Sequence, residues 1–157
     1  MKLKQNYLAL AALLLAALTS TYSFAQTSER DLAVEEANRK LVVKFYNLNF
    51  NEHKVEEAVK VMADNYIQHN PKVPDGKAAF VSFFTGFFPK NPEAKSRIIR
   101  SAADGDLVWL HVHATNGAND RGQAIIDIFR VKNGKIVEHW DVIQAVPETA
   151  ANKNTMF

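Results

Sequence analysis

The feature that most restricts how this chain can fold is a pair of apolar, β-branched and aromatic runs within residues 121–144. The runs lie on either side of Asn133-Gly134, a dipeptide whose two residues both tolerate positive φ. Such a dipeptide between alternating runs predicts a β-hairpin. Two adjacent antiparallel strands near the end of the chain leave the earlier residues to cover one face of them.

Three polar residues, Asp127, His139 and Asp141, interrupt the apolar pattern of the hairpin. Titratable groups among apolar neighbours have the environment that proton-transfer chemistry needs. The competing interpretation of Asp127 is a structural ion pair with Arg130 or Arg121. For His139 and Asp141 it is a hydrogen-bonded sheet face. Both interpretations remain open from the residues alone.

The turn decides whether this polar trio shares one face. A two-residue type I′ loop puts His139 and Asp141 on the face opposite to Asp127. A three-residue loop that begins at Lys132, with Gly134 as the left-handed bulge residue, pairs Asp127 with His139 and keeps Asp141 on their face. We favour the three-residue loop because it also groups the other side chains by polarity. It places Ile125, Phe129 and Val137 beside the trio and Arg130, Glu138 and Trp140 on the other face.

The first 25 residues have the three parts of a secretory signal peptide. They are Lys2 and Lys4, an apolar run over residues 8–18, and small or polar residues that end at Ala25. The apolar run is too short to span a bilayer. We expect cleavage after Ala25 and a periplasmic or secreted mature protein with no membrane attachment. Removal of 25 of the 157 residues leaves 132, which is enough for one domain with its own core.

Charge and cysteine content exclude several classes of protein. The chain has 19 Lys and Arg against 17 Asp and Glu, and the predicted signal peptide contains two of the lysines and no acidic residue. The mature chain therefore has no net charge with histidine neutral, and no nucleic-acid partner is expected. There is no cysteine, so a disulfide scaffold is excluded.

The order of predicted elements indicates an α+β domain. Helical spacing of apolar residues covers residues 34–48, 55–62 and 77–88, and YIQHNP at residues 66–71 is extended because it ends in proline. Period-two runs follow over residues 97–103 and 107–115 and in the hairpin. We predict three helices on a curved antiparallel sheet of four or more strands, with the domain over residues 26–145 and a C-terminal tail over residues 146–157.

The third predicted helix carries five phenylalanines on one wide face, namely Phe80, Phe83, Phe84, Phe87 and Phe88. The spacing predicts a buried face. Core is the simpler interpretation, and the alternative is that part of the stripe walls an apolar ligand pocket.

Some of the histidines could bind a metal ion instead of taking part in acid–base catalysis. His111 and His113 alternate along one predicted strand, so both could reach one ion. A third ligand would have to come from His69 or His139, and no HExxH or other spaced ligand set is present. We therefore predict no metal and no cofactor. The sequence has no cysteine and no GxSxG motif, phosphate loop or dinucleotide fingerprint. Acid–base catalysis is therefore the class of chemistry that we favour.

Three segments resemble the SnoaL-like polyketide cyclase group, within the superfamily that shares the nuclear transport factor cone. They are YIQHNP (66–71), DGDLVWLHVHA (104–114) and DIFRVKNGKIVEHWDVIQ (127–144). The resemblance extends from about residue 29 to residue 145. It implies three helices on a strongly curved sheet, a pocket in the mouth of the cone and commonly a homodimer through the outer sheet face. In the cyclases an aspartate acts as acid and base, with a histidine on the preceding strand, and Asp127 and His113 fall at the matching places.

Related limonene epoxide hydrolases use two aspartates and an arginine to activate water. Asp127 and Asp141 resemble the aspartates, but Ile125 occupies the place of the arginine. The resemblance therefore does not extend to epoxide hydrolysis by that route. Steroid isomerases of the same superfamily, a worked example of a carboxylic acid held neutral in an apolar site, imply that the cone suits enolate chemistry.

We predict a lyase, isomerase or aldol cyclase that acts on a small apolar carbonyl compound. Asp127 would take a proton from the carbon next to the carbonyl, and His113 or His139 would donate to the enolate oxygen. Asp141 would orient a histidine, and His69 would close the mouth of the pocket. The alternative is a module of the same fold that binds a small molecule or docks a partner without chemistry.

Overall fold

The computed structural model describes residues 30–157. The predicted signal peptide and its cleavage site lie outside these residues. Within residues 30–157, no helix has both the length and the apolar character that crossing a bilayer requires.

Three helices precede most of the sheet, as predicted. Helix α1 begins after Asp31, whose carboxylate accepts hydrogen bonds from the backbone N–H groups of Ala33 and Val34. The helices are α1 (Leu32–Phe50), α2 (Val55–Ala58) and α3 (Lys77–Phe87). Short 3-10 turns extend α2 over Val59–Val61 and α3 over Phe88–Lys90. The second helix is shorter than predicted because the chain enters a strand directly at Met62.

Five strands form one sheet in the order β1-β5-β4-β3-β2. They are β1 (Met62–Gln68), β2 (Ala94–Asp104), β3 (Leu107–Asn116), β4 (Gln123–Lys132) and β5 (Lys135–Ala145). The predicted fold class is confirmed, and β2 to β5 form the expected antiparallel meander. The fifth strand, β1, pairs in parallel with β5. Its alanine, aspartate and asparagine have low strand propensity, which weakened the sequence signal.

The hairpin turn differs from the one that we favoured. Lys132 pairs with Lys135, so Asn133 and Gly134 form a two-residue loop, with φ of 50° and 70°. This is the type I′ geometry, and the predicted three-residue loop is wrong. The register nevertheless changes between Arg130 and Val131.

A bulge in β5 produces that change of register. Val131 pairs with Ile136 and Arg130 pairs with Glu138, which leaves Val137 as the extra residue. Asp127 therefore lies opposite Asp141, and Phe129 lies opposite His139. Neither predicted register is correct. The polar trio nonetheless shares one face, because the bulge moves His139 and Asp141 back to the face of Asp127.

The inner face of the sheet packs against α1 and α3 to form the core. Along β3, Val108, Leu110 and Val112 are almost fully buried, whereas Trp109 between them is exposed. The same alternation continues on the paired strands. Other core side chains are Val42, Phe45, Val55, Ala58, Met62, Phe129 and Ile136.

A core substitution tests this arrangement. Ile136 is fully buried beside the hairpin turn, and Ile136→Ala should lower the free energy of unfolding by about 2–5 kcal/mol. The exposed Leu32 gives a matched control, since Leu32→Ala should change it by about 0.5 kcal/mol or less. Urea denaturation measures both. Equal effects of the two substitutions would contradict the assigned core.

Candidate functional site

A cavity of about 760 Å³ opens between α1, α3 and the inner face of the sheet. Ten aromatic side chains line it: Phe45, Tyr46, Phe50, Tyr66, Phe80, Phe83, Phe84, Phe87, Phe88 and Phe129. Asp127, His139 and Asp141 line it as well. An apolar cavity with a few convergent polar groups is the usual form of a small-molecule site. All five phenylalanines of the predicted stripe line this cavity, and Phe80 and Phe88 are also buried in the core.

The central contact of the site joins Asp127 and His139, both almost fully buried. Oδ1 of Asp127 lies 2.9 Å from Nε2 of His139. The other carboxylate oxygen, Oδ2, accepts a hydrogen bond of 2.8 Å from the hydroxyl of Tyr46. Asp127 is thus held by α1 on one side and by β5 on the other. The alternative of an ion pair with Arg130 or Arg121 is wrong. The guanidinium of Arg130 binds Asp106 and Glu138, and Nε of Arg121 donates to the carbonyl oxygen of Val146.

The hydrogen bonds around Gln68 determine which nitrogen of His139 carries a proton. Oε1 of Gln68 accepts from the backbone N–H of Asn70 at 3.0 Å, and this donor identifies the atom as the amide oxygen. The same oxygen lies 2.9 Å from Nδ1 of His139, so Nδ1 is a donor. Nε2 and Oδ1 of Asp127 then share one further proton, because two bare lone pairs at 2.9 Å would repel each other. The two groups therefore hold one proton between them.

Asp141, the third member of the trio, has a different partner from the one predicted. Its two carboxylate oxygens lie 2.9 and 2.8 Å from Nδ2 of Asn70. Oδ1 of Asn70 accepts from the backbone N–H of Lys72, which fixes the orientation of the amide. The prediction that Asp141 orients a histidine is wrong in this respect, because Gln68 orients His139. Asp141 supplies a second carboxylate beside the Asp127–His139 pair.

The trio could also bind a divalent cation. Asp127, His139 and Asp141 each offer a ligand atom within 4.8 Å of the other two. One imidazole and two carboxylates suit several divalent ions. Nε2 cannot bind a metal and a proton at once, so cation binding and proton exchange with Asp127 exclude each other. The His111 and His113 pair considered from the sequence lies elsewhere, with Nδ1 of His111 bonded to Arg100.

A family model described as a SnoaL-like domain matches residues 42–139, which is more than half of the chain. The chain belongs to the SnoaL-like family. A comparison with curated protein sequences gives no significant match.

Solved structures show the same fold at low sequence identity. A Kribbella flavida protein provisionally assigned as a ketosteroid isomerase has a TM-score of 0.62 and 20% identity, over 75% of this chain and 85% of that one. A Bacillus cereus protein provisionally assigned as a polyketide cyclase has a TM-score of 0.58 and 24% identity, over 68% and 74%. A SnoaL-like protein of unknown function from Burkholderia thailandensis has a TM-score of 0.61 and 14% identity, over 70% and 97%.

His113 does not lie in the cavity of this SnoaL-like protein, contrary to prediction. Its neighbours Val112 and Ala114 face inwards, so strand alternation directs His113 to the outer face. There Nε2 lies 2.9 Å from the carbonyl oxygen of Arg121, and the ring stacks on Phe157 with centroids 4.1 Å apart. His113 is therefore unable to contact a ligand beside Asp127.

His69 also lies on the outer face and does not close the cavity. Its ring stacks on Trp140 with centroids 4.5 Å apart, and Nε2 lies 2.8 Å from a carboxylate oxygen of Glu138. The buried Tyr66 faces the core, and Gln68, two residues later, faces the cavity. Strand alternation therefore directs Ile67 and His69 to the outer face. Of the five predicted site residues, the structure brings together Asp127, His139 and Asp141.

Sequence reasoning missed Tyr46, Gln68 and Asn70. Gln68 and Asn70 belong to YIQHNP, the segment from which His69 was chosen. Strand parity with Tyr66 would have favoured Gln68. Tyr46 gave no signal, because a tyrosine beside Phe45 in an apolar helix is ordinary core composition.

Burial is the main cause of the raised pKa values of two tyrosines at the site, Tyr46 and Tyr66. It raises the pKa of Tyr46 well above its ordinary value, and the neighbouring Asp127 carboxylate raises this pKa further. Burial likewise raises the pKa of Tyr66, with smaller effects from Asp127 and Asp141. Both phenols therefore stay protonated at neutral pH, and Tyr46 acts as a hydrogen-bond donor to Asp127.

Replacing Tyr46 tests this role. The folded protein holds the phenol proton more tightly than the unfolded chain, so stability should fall as pH rises above about 10. Tyr46→Phe should cost about 1–3 kcal/mol near pH 8, since Asp127 loses a buried donor. It should also make the alkaline loss shallower by up to about 1.4 kcal/mol per pH unit. Urea denaturation from pH 8 to 11 measures both effects, and an unchanged alkaline slope would contradict the assignment.

Proposed function

We propose that this SnoaL-like protein is an acid–base enzyme, of lyase, isomerase or aldol-cyclase type, that acts on a small apolar carbonyl compound in the cavity. The observation that carries the proposal is the buried Asp127–His139 pair on the wall of an aromatic cavity. Such a pair has little structural purpose on a face that apolar side chains could fill. It gives a bound carbonyl compound a base and a proton donor side by side.

The proposed reaction begins with Asp127 as a carboxylate and His139 protonated on both nitrogens. Asp127 removes a proton from the carbon next to the carbonyl. The electrons of the C–H bond form the carbon–carbon double bond of the enolate, and the π electrons of the carbonyl move to its oxygen. Nε2–H of His139 donates a hydrogen bond to the enolate oxygen as it forms. Gln68 holds the ring in place through Nδ1–H. One such positioned proton transfer contributes roughly 10²- to 10⁴-fold in rate.

The fate of the enolate distinguishes the reaction types. Return of the proton to a different carbon gives an isomer, expulsion of a leaving group gives a lyase product, and attack on a second carbonyl of the same molecule gives ring closure. All three use only side chains of this chain and need no cofactor. The relatives provisionally assigned as a ketosteroid isomerase and a polyketide cyclase support this range of reactions.

Replacement of Asp127 tests the proposal. Asp127→Asn keeps the shape and removes the base, so it should reduce turnover at least 10²-fold without unfolding the protein. Exchange of α-protons in D₂O, followed by NMR on a panel of cyclic and aromatic ketones, detects the first step of every proposed reaction. His113→Gln on the outer face is the control and should leave exchange unchanged. Full activity in the Asp127→Asn variant would refute the proposed base.

The second candidate function is binding without turnover. The ten aromatic side chains of the cavity favour it, because they would bury an apolar molecule whether or not chemistry follows. In that case no ketone would exchange its α-protons, and Asp127→Asn would leave ligand affinity within a few-fold.

We also propose an exported homodimer. The signal-like first 25 residues support a periplasmic or secreted location. The outer face of the sheet exposes Trp109, Ile126 and Val142, with Val142 71% exposed. Large apolar side chains on a sheet face favour contact with another surface, and a second copy of this face would cover them.

A charge on this face tests the dimer. Val142→Glu should convert a dimer of the mature chain to a monomer at micromolar concentration, as measured by light scattering coupled to size exclusion. Leu32→Glu, at an equally exposed position on α1, is the matched control and should leave the mass unchanged. A monomeric mature protein would argue against the dimer and for another partner at this face.

A further inference from the structure

Arg121 lies at the opposite end of the cavity from the polar trio. It belongs to the loop between β3 and β4 and lines the cavity wall. Nε of Arg121 donates to the carbonyl oxygen of Val146 at 3.4 Å, and the backbone N–H of Val146 donates to Gly122 at 3.0 Å. The base of the guanidinium is thereby tied to the chain that leaves β5. Within residues 30–157, its two terminal amino groups have no hydrogen-bond partner and no carboxylate within ion-pair distance.

Besides Arg121 and the polar trio, two charged side chains line this cavity, one basic and one acidic. Lys95 also lines the cavity, and its Nζ donates to the carbonyl oxygen of Asn51. Asp120 is the acidic group nearby, but its two oxygens accept the backbone N–H groups of Asn116 and Gly122 at 2.7 and 2.9 Å. The carboxylate of Asp120 therefore holds the loop together. A planar cation with two free donor groups remains on the wall.

The strand that joins the two ends gives the distance between them. Gln123, Ile125 and Asp127 follow one another on the inner face of β4, and all three line the cavity. The four residue-to-residue steps from Gln123 to Asp127 span about 13 Å at roughly 3.3 Å per step. Arg121 lies just beyond Gln123. A ligand that reaches both ends must be longer than one ring, with an apolar body between two polar groups.

We propose that the natural ligand is an amphipathic carboxylate, with its carboxylate bound by Arg121 and its apolar body along the phenylalanines. A guanidinium presents two parallel N–H donors that match the two oxygens of a carboxylate. The position of the anion then puts the far end of the ligand beside Asp127 and His139. The assignment of that far end as the reacting carbonyl rests on the proposed function. The anion site does not rest on it.

Two probes that differ only in charge test the anion site. They are 4-(2-naphthyl)butanoate and its primary amide, which share the aromatic body, the chain length and the carbonyl oxygen. Titration calorimetry of the mature protein at low salt should give a dissociation constant about two- to fivefold lower for the carboxylate, as expected for a partly exposed ion pair. Arg121→Gln should reduce this preference to about one.

A second arginine provides the matched control. Arg97 lies on the outer face of β2, opposite His113, and does not line the cavity. Arg97→Gln removes the same charge from the protein and should keep the preference for the carboxylate. Equal loss in both variants would mean that net charge, and not a site, sets the preference, which would overturn the proposal.

Other outcomes also decide the matter. Equal affinity of the wild-type protein for both probes, or binding of neither, would overturn the proposal. A preference lost in His139→Gln but kept in Arg121→Gln would place the anion at the trio instead. The test is independent of catalysis, because the titration measures the binding of the two probes and requires no turnover. If the D₂O experiment refutes Asp127 as the base, the measured preference for the carboxylate therefore remains valid.

Discussion

The contact between Asp127 and His139 is the interaction on which the rest of the site depends. A buried carboxylate or a buried imidazolium alone is costly, whereas the two together can share a proton and remain nearly neutral. Tyr46 satisfies the outer carboxylate oxygen and Gln68 satisfies the outer ring nitrogen. These partners come from α1 and β1, so the pair forms only when helix and sheet are both in place. The stability of this part of the core and the arrangement of the polar groups in the cavity therefore have the same origin.

Strand β5 separates two kinds of polar cluster by its alternation. His139 and Asp141 face the cavity, while Glu138 and Trp140 face outwards and contact His69 and Arg130. Hydrogen bonds from His69 and Arg130 hold the pKa of Glu138 below its usual value, so the outer cluster is anchored by an ionised carboxylate. This cluster ties β1 to β5 through side chains. The position of Gln68 under His139 depends on that parallel pair.

Much of the fold and part of the site could be predicted from local patterns. Helical and strand periods located the elements, and polar residues in an apolar strand identified Asp127, His139 and Asp141. The register could not be predicted, because the Val137 bulge depends on pairing with β4 and β1 and has no signature in the residues around it. The prediction had the wrong turn type and lacked the bulge. Each error shifts the register by one residue, and two such shifts return the side chains to the same face. The predictions that His113 and His69 line the cavity were wrong for a different reason. Both were chosen from segments that resemble the family, whereas the alternation of side chains along the strands places Val112 and Gln68 on the inner face.

The aromatic walls and the polar ends of the cavity have separate effects on binding. Phe83 lines the cavity and is 57% exposed, although it belongs to the same helical stripe as the buried Phe80. Covering its ring with an apolar molecule would gain about 25 cal/mol per Å² of buried area, without regard to orientation. Orientation must then come from the ends, where Arg121 offers two free donors and the trio offers a proton. An amphipathic ligand would be bound mainly by α3 and aligned by the two ends of β4. Under the proposed function, this division would allow an aromatic cavity to place one carbon of a bound molecule against Asp127.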